Sequence, residues 1–459
     1  MNARDLMRAG IPEGPAVGMA LRALAAGKGA PEVRERLLAL AADPAAFRDD
    51  PALGELARTI APRGPDGFRE RDAPAPWRSW GDNIEPTALG QMRDAARLPV
   101  SVRGALMPDA HPGYGLPIGG VLATEEAVIP YAVGVDIACR MRLSVLDVPV
   151  SELTGGARRL ADAIERETAF GMGAQLARPA DHEVLDADWG VTRLTKSLRQ
   201  RAAAQLGSSG SGNHFVEFGT LTLEQPGLGL EAGTYVALLS HSGSRGTGAK
   251  VADHYTRLAA AAHPELPKQL RHLAWLDLGS EAGAEYWAAM ELMGEYAAAN
   301  HAVIHRRVAR ALRATTIAGV ENHHNFAWRE EHDGRQVIVH RKGATPAGEG
   351  VLGVIPGSMA TPGYVVRGRG DAASLRSASH GAGRVMSRKQ AQRTFAWGDV
   401  RRQIDAAGVT VLSAGLDEVP GVYKDIAVVM AAQADLVDVV ARFDPRIVKM
   451  APPGERPED

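Results

Sequence analysis

The sequence predicts an α+β protein in which helices and strands mix within one large domain. Helical periodicity holds over long stretches at 157–168, 249–262 and 282–314. Short apolar runs, such as Val121-Leu122-Ala123 and Tyr235-Val236-Ala237-Leu238-Leu239, sit between glycine-rich segments and read as strands. Strands and helices do not alternate strictly, which argues against a doubly wound sheet.

Taken in order, residues 1–80 differ in texture from the rest. A helix is predicted over Pro31–Leu40, where Val33, Leu37, Leu38 and Leu40 fall between charged positions. A stretch rich in proline and arginine follows, with Ala61-Pro62-Arg63-Gly64-Pro65 and then Pro74 and Pro76, and reads as a linker. The expected division is a helical N-terminal extension with its linker over 1–80, a main domain over 81–452 and a tail over 453–459. The stretch 282–314 is the clearest helix, rich in Ala, Glu, Met and Leu and free of proline.

A chain of 459 residues with 45% hydrophobic content can bury a substantial core. The formal net charge of −2 means that any polyanion must be met by a local patch. No apolar run is long enough to cross a bilayer, and Met1-Asn2-Ala3-Arg4-Asp5-Leu6 lacks the apolar core of a secretory signal. The expected location is the cytoplasm. The single cysteine, Cys139, excludes an intramolecular disulfide and a Cys-only zinc site, and suits a reducing compartment.

Chemistry concentrates in a few segments. Asp136 and Cys139 are spaced to converge at a strand end, where a thiolate and a carboxylate suit manganese or zinc; an inert buried cysteine is the alternative. His214 ends the run Gly207-Ser208-Ser209-Gly210-Ser211-Gly212-Asn213 and enters a strand. That run reads as a loop of exposed amides, with Asn213 free for phosphate and His214 for metal. His241 opens His-Ser-Gly-Ser-Arg-Gly between a strand and a helix, where Ser242, Ser244 and Arg245 could contact an anion. Of the adjacent pair His323 and His324, one is expected to ligate and one to support. His380, in His-Gly-Ala-Gly-Arg, could be a nucleophile toward phosphorus with Arg384 beside it, or a further metal ligand. Nine late cations from Arg367 to Arg402, interleaved with Phe395 and Trp397, would make an RNA-binding face.

These segments together resemble the RtcB family of RNA ligases over roughly Gly81 to Ala451. The matching pieces run in the family's order: Met107-Pro108-Asp109-Ala110-His111-Pro112-Gly113-Tyr114-Gly115, Asp136 with Cys139, Gly212-Asn213-His214-Phe215, His241-Ser-Gly-Ser-Arg-Gly, His324-Asn325, His340-Arg-Lys-Gly-Ala-Thr, Pro356-Gly-Ser-Met, His380-Gly-Ala-Gly-Arg and Tyr423-Lys424-Asp425-Ile426. The resemblance implies a single large catalytic domain around a central cleft. It implies GTP- and manganese-dependent joining of an RNA 3′-phosphate or 2′,3′-cyclic phosphate to a 5′-hydroxyl. By position, Asp136, Cys139 and His214 would hold one Mn²⁺, and Cys139, His241 and His324 a second. His380 would form a covalent guanylate. Asn213, His214, Phe215, Val216, Glu217, His324, Asn325, Pro356, Gly357, Ser358, Met359, Gly363, His380, Gly381, Ala382, Gly383 and Lys449 would surround GTP.

Four features depart from that pattern. Arg140 stands where the family typically has glycine, Gly363 where a hydroxyl residue is common, the first 80 residues are outside the pattern, and the chain continues past Lys449. A monomer is expected, and two other functions compete. One is a binuclear metallophosphoesterase acting on RNA ends, which would need no guanylate. The other is an RNA-end-binding paralogue without turnover.

Overall fold

The computed structural model describes residues 1–12, 15–27, 30–47, 50–60 and 68–455. The chain forms two compact units, Met1–Arg69 and Glu70–Asp459. The first is helical, with Ala3–Arg8, Pro15–Ala26, Pro31–Ala42 and Gly54–Ile60. Its core is its own, built from Leu6, Ile11, Ala20, Leu37, Leu40 and Leu56. The helix expected over Pro31–Leu40 extends to Ala42 and opens on Pro31, where the missing N–H costs nothing. Leu38, counted on its apolar face, is exposed instead.

The second unit begins at Glu70, so the division falls earlier than residue 80. Backbone pairing is the reason: Ala75 N–H donates to Ala96, and the strand Trp77–Ser79 pairs in parallel with Ser101–His111. Ala61-Pro62-Arg63-Gly64-Pro65 and the end of the expected tail, 456–459, lie outside the described residues.

Two large sheets make the second unit. The smaller runs, in spatial order, Trp77–Ser79, Ser101–His111, Ile118–Thr124, Arg335–Lys342 and Asn325–His332. The larger has seven strands on its main path: Leu352–Ile355, Gly363–Gly368, Val437–Met450, Phe215–Leu223, Gly233–Ser242, Arg140–Leu146 and Thr316–His323. Thr410–Ser413 adds to it by pairing in parallel with Val437–Met450. Both apolar runs singled out in the sequence lie within strands, and the three helical stretches appear as Ala157–Glu167, Arg245–Ala262 and Glu281–Leu312. Ser280 caps the last of these, accepting from Gly283 N–H, and Arg313 ends it in the left-handed conformation.

Side chains alternate across the larger sheet. Val216, Phe218, Val236 and Leu238 meet Leu160, Ile164, Ile304 and Val308 of the helices on one face. Met141, Leu221, Leu239, Val354 and Phe443 pack on the other. That alternation decides which neighbours of the functional residues reach the cleft.

Candidate metal and nucleotide site

Strand register assembles the site. Phe215 pairs with His241, and Arg140 pairs with both Ser242 and His323. Cys139, His214 and His324 each flank one of these paired residues, so four potential ligands gather at one end of adjacent strands. Gly243 is needed here because a Cβ would collide with the Asp136 carboxylate. Ser244 N–H donates to Asp136 Oδ1 at 3.0 Å, fixing the carboxylate's direction.

The donor atoms form two linked groups. His214 Nε2 lies 3.1 Å from Asp136 Oδ2 and 3.5 Å from Cys139 Sγ. His241 Nε2 lies 3.1 Å from the same sulfur and 3.2 Å from His324 Nε2. Ligand atoms of Cys139, His214 and His241 all fall within 4.8 Å of one another, so these three buried residues could hold a metal ion.

Protonation favours that role. His241 Nδ1 faces the Asn213 carbonyl at 3.0 Å and therefore carries the hydrogen, leaving Nε2 as a bare lone pair. Burial, with the charge of His214, pushes His241 down to about 3; burial likewise holds His324 well below the ordinary value. Both imidazoles stay neutral, as ligands must be. Burial alone would raise Asp136, but the hydrogen bond and charge of His214 outweigh it and hold the carboxyl low. The bare His241 Nε2 beside the thiol, with two further imidazoles and a carboxylate around it, is a donor set that suits a soft or borderline divalent ion.

His380 lies beside this cluster, its ring centroid 4.9 Å from that of His324. Its Nδ1 donates to Asp109 Oδ2 at 2.7 Å, and the same oxygen accepts from the His380 backbone N–H at 3.1 Å and Gly381 N–H at 3.3 Å. The contact fixes the tautomer and leaves the lone pair on Nε2. Burial would raise Asp109, yet the His380 hydrogen bond and charge hold it below the usual carboxylate range. Gly383, at φ +75, lies where any Cβ would strike the Asp109 backbone.

A cavity of about 970 Å³ opens over these groups. Asp136, Cys139, Asn213, His214, Phe215, Glu217, His241, His324, Asn325, Pro356, Gly357, Ser358, Met359, Gly363, His380, Gly381, Ala382 and Gly383 all line it. Burial pushes Glu217 well up, which favours a neutral carboxyl there. Val216 and Lys449 do not line it. They face each other in register on the helix side, where Lys449 Nζ reaches the Glu165 carbonyl at 3.5 Å and lies 5.4 Å over Phe170.

Several expectations resolve differently. The run Ser208–Ser211 is buried rather than exposed, and side chains from other elements meet much of its backbone. Asn300 accepts from Gly207 N–H and donates to the Ser208 carbonyl, and Arg245 donates to Ser208 Oγ and the carbonyls of Ser209 and Gly171. Arg245 thus clamps the loop. Arg384 lines the cavity but pairs with Glu418 and donates to the Asp417 carbonyl. His324 is the member of its pair that faces the cluster; His323 packs 5.0 Å from Phe326 and Trp328.

The departures fit the geometry. Arg140 is buried against Glu321 and donates to the Gly294 carbonyl at 3.1 Å, away from the ligands. At Gly363 a Cβ would sit 3.2 Å from Pro356 Cα, a tight approach that glycine relieves.

One network gave no local signal in the sequence. His301 Nε2 faces the Ser242 carbonyl at 3.0 Å, so it donates there and Nδ1 accepts from Ser240 Oγ at 2.7 Å. Ser240 Oγ then accepts from His305 Nε2 at 2.8 Å, and Ser144 Oγ donates to His305 Nδ1 at 2.8 Å. This chain ties the long helix to the strand residues on either side of His241.

The comparisons with known proteins agree with one another. A family model described as tRNA-splicing ligase RtcB matches residues 91–193 and 186–450. The RNA-splicing ligase RtcB of Escherichia coli (strain K12) is 34% identical over 397 residues, covering 80% of this chain and 95% of that protein. The tRNA-splicing ligase RtcB of Thermococcus kodakarensis is 33% identical, covering 78% and 89%. The RNA-splicing ligase RtcB of Mycobacterium tuberculosis is 33% identical, covering 77% and 98%.

Proposed function

The chain belongs to the RtcB family, and from that membership we propose that it is an RNA ligase joining a 3′-phosphate or 2′,3′-cyclic phosphate end to a 5′-hydroxyl end at the expense of GTP. The observation that carries this reading is His380: a histidine held through Nδ1 by a buried carboxylate, beside a cluster of metal donors.

Asp136, His214 and Cys139 would hold one manganese ion and Cys139, His241 and His324 another, supplying positive charge against phosphate oxygens. His380 Nε2 attacks the α-phosphorus of GTP; the nitrogen–phosphorus bond forms as the bond to pyrophosphate breaks. Asp109 keeps the proton on Nδ1 and stabilises the charge that the ring acquires. The guanylate passes to the RNA 3′-phosphate, and the 5′-hydroxyl then displaces GMP. Asn213, Pro356 to Met359, Gly363 and Gly381 to Gly383 would surround the guanylate.

The test uses two RNA strands with 3′-phosphate and 5′-hydroxyl ends, GTP and Mn²⁺. Wild-type protein should seal them. His380→Ala should fail on these ends and still seal RNA whose 3′-phosphate already carries guanylate. Release of phosphate without any need for GTP would instead identify a metallophosphoesterase.

A further inference from the structure

At the mouth of the cavity three aromatic rings meet a lysine. Tyr114 is 67% exposed, and its ring lies 6.3 Å from Tyr131 and 5.7 Å from His272. Tyr131 and His272 are 4.6 Å apart, closing the triangle. Lys342 Nζ lies 4.8 Å over the Tyr131 ring and donates to the Tyr114 carbonyl at 2.6 Å. Tyr114, Tyr131 and Lys342 all line the cavity.

The cluster is braced and adjoins the reacting histidine. Gly115, at φ +71, approaches His272 so closely that a Cβ would sit 3.0 Å from its backbone oxygen. Gly343, next to Lys342, lies where a Cβ would be 3.1 Å from His380 Cε1. A large exposed ring gains nothing for folding by remaining in water; a flat partner would cover it. The three rings meet edge-on or tilted, at 90°, 58° and 41°, so Tyr131 and His272 brace Tyr114 and leave its exposed ring open to a flat base.

We propose that Tyr114, braced by Tyr131 and His272, is the stacking platform for the terminal base of an RNA strand entering the cleft. This inference rests on the ligase reading and adds where the RNA end is held. The base belongs either to the 3′-phosphate strand or to the 5′-hydroxyl strand.

Binding of short single-stranded RNAs, followed by fluorescence anisotropy at constant salt, tests it. One set ends in a 3′-phosphate and the other in a 5′-hydroxyl, each with an intact or an abasic terminal nucleotide. In wild-type protein the abasic change should weaken one set about tenfold, the size expected for one stacked base. That set identifies the strand. Tyr114→Leu should erase the difference between intact and abasic ends, and Tyr114→Phe should keep it. Equal affinity for intact and abasic ends in wild-type protein, or an undiminished difference in Tyr114→Leu, would overturn the platform. Turnover is not needed, so a protein that never takes up guanylate would defeat the ligase reading while this measurement still reports on the platform.

Discussion

Asp109 is the residue on which the proposed chemistry of His380 turns. One carboxylate oxygen accepts three hydrogen bonds from the His380–Gly381 segment, two from backbone and one from the ring. In Asp109→Asn the size is kept but the carboxylate that favours Nδ1–H is lost. We expect covalent guanylate to form at least about 100-fold more slowly, with Mn²⁺ binding retained. Time-resolved intact-mass analysis reads the rate and calorimetry reads the metal; unchanged labelling would remove Asp109 from the mechanism. Cys139→Ala should lower the bound Mn²⁺ measured by metal analysis, since its sulfur lies within 3.5 Å of both His214 and His241. The candidate ligand residues stood out in the sequence because polar side chains among glycines and serines demand an explanation. Asp109 was visible in its motif without a role, because its partner lies 271 residues further along the chain.

At the scale of elements, strand register does most of the assembly. His323 and His324 are indistinguishable in sequence, and the end of the strand Thr316–His323 separates them. Short apolar runs foretold strands, but pairing Arg140 with both Ser242 and His323 depends on topology that local pattern does not encode. The Gly/Ser run was misread for a similar reason: Arg245 and Asn300, which bury it, come from other elements. The helix Glu281–Leu312 sets the position of His241 from behind through His301. His301→Phe fills the same space and leaves the Ser242 carbonyl and Ser240 hydroxyl without that partner. It should cost about 1–3 kcal/mol in denaturant unfolding and weaken Mn²⁺ about tenfold by calorimetry. Ile304→Val, in the apolar layer nearby, should cost about 1 kcal/mol without changing Mn²⁺ affinity. Equal loss of affinity in both variants would mean that the chain acts only through stability.

For the whole molecule, fold class was readable from periodicity, whereas the two-sheet arrangement was not foreseen, since the family resemblance implied only a single large domain around a central cleft. The boundary near Arg69 was hidden because Pro74 and Pro76 resemble a linker while the backbone around them pairs with the second unit. Every residue assigned to metal or guanylate lies within Glu70–Asp459, and the helical unit has a separate apolar core. A chain lacking residues 1–69 should therefore remain folded by circular dichroism and still take up guanylate. Loss of labelling in a folded truncation would give the helical unit a part in the first step. The central claim is that His380 becomes covalently guanylylated, and intact-mass measurement after incubation with GTP and Mn²⁺ tests it most directly. The account predicts one added guanylate on the wild-type chain and none on His380→Ala. An adduct that persists in His380→Ala, or a wild-type chain that binds Mn²⁺ and GTP yet gains no mass, would contradict it.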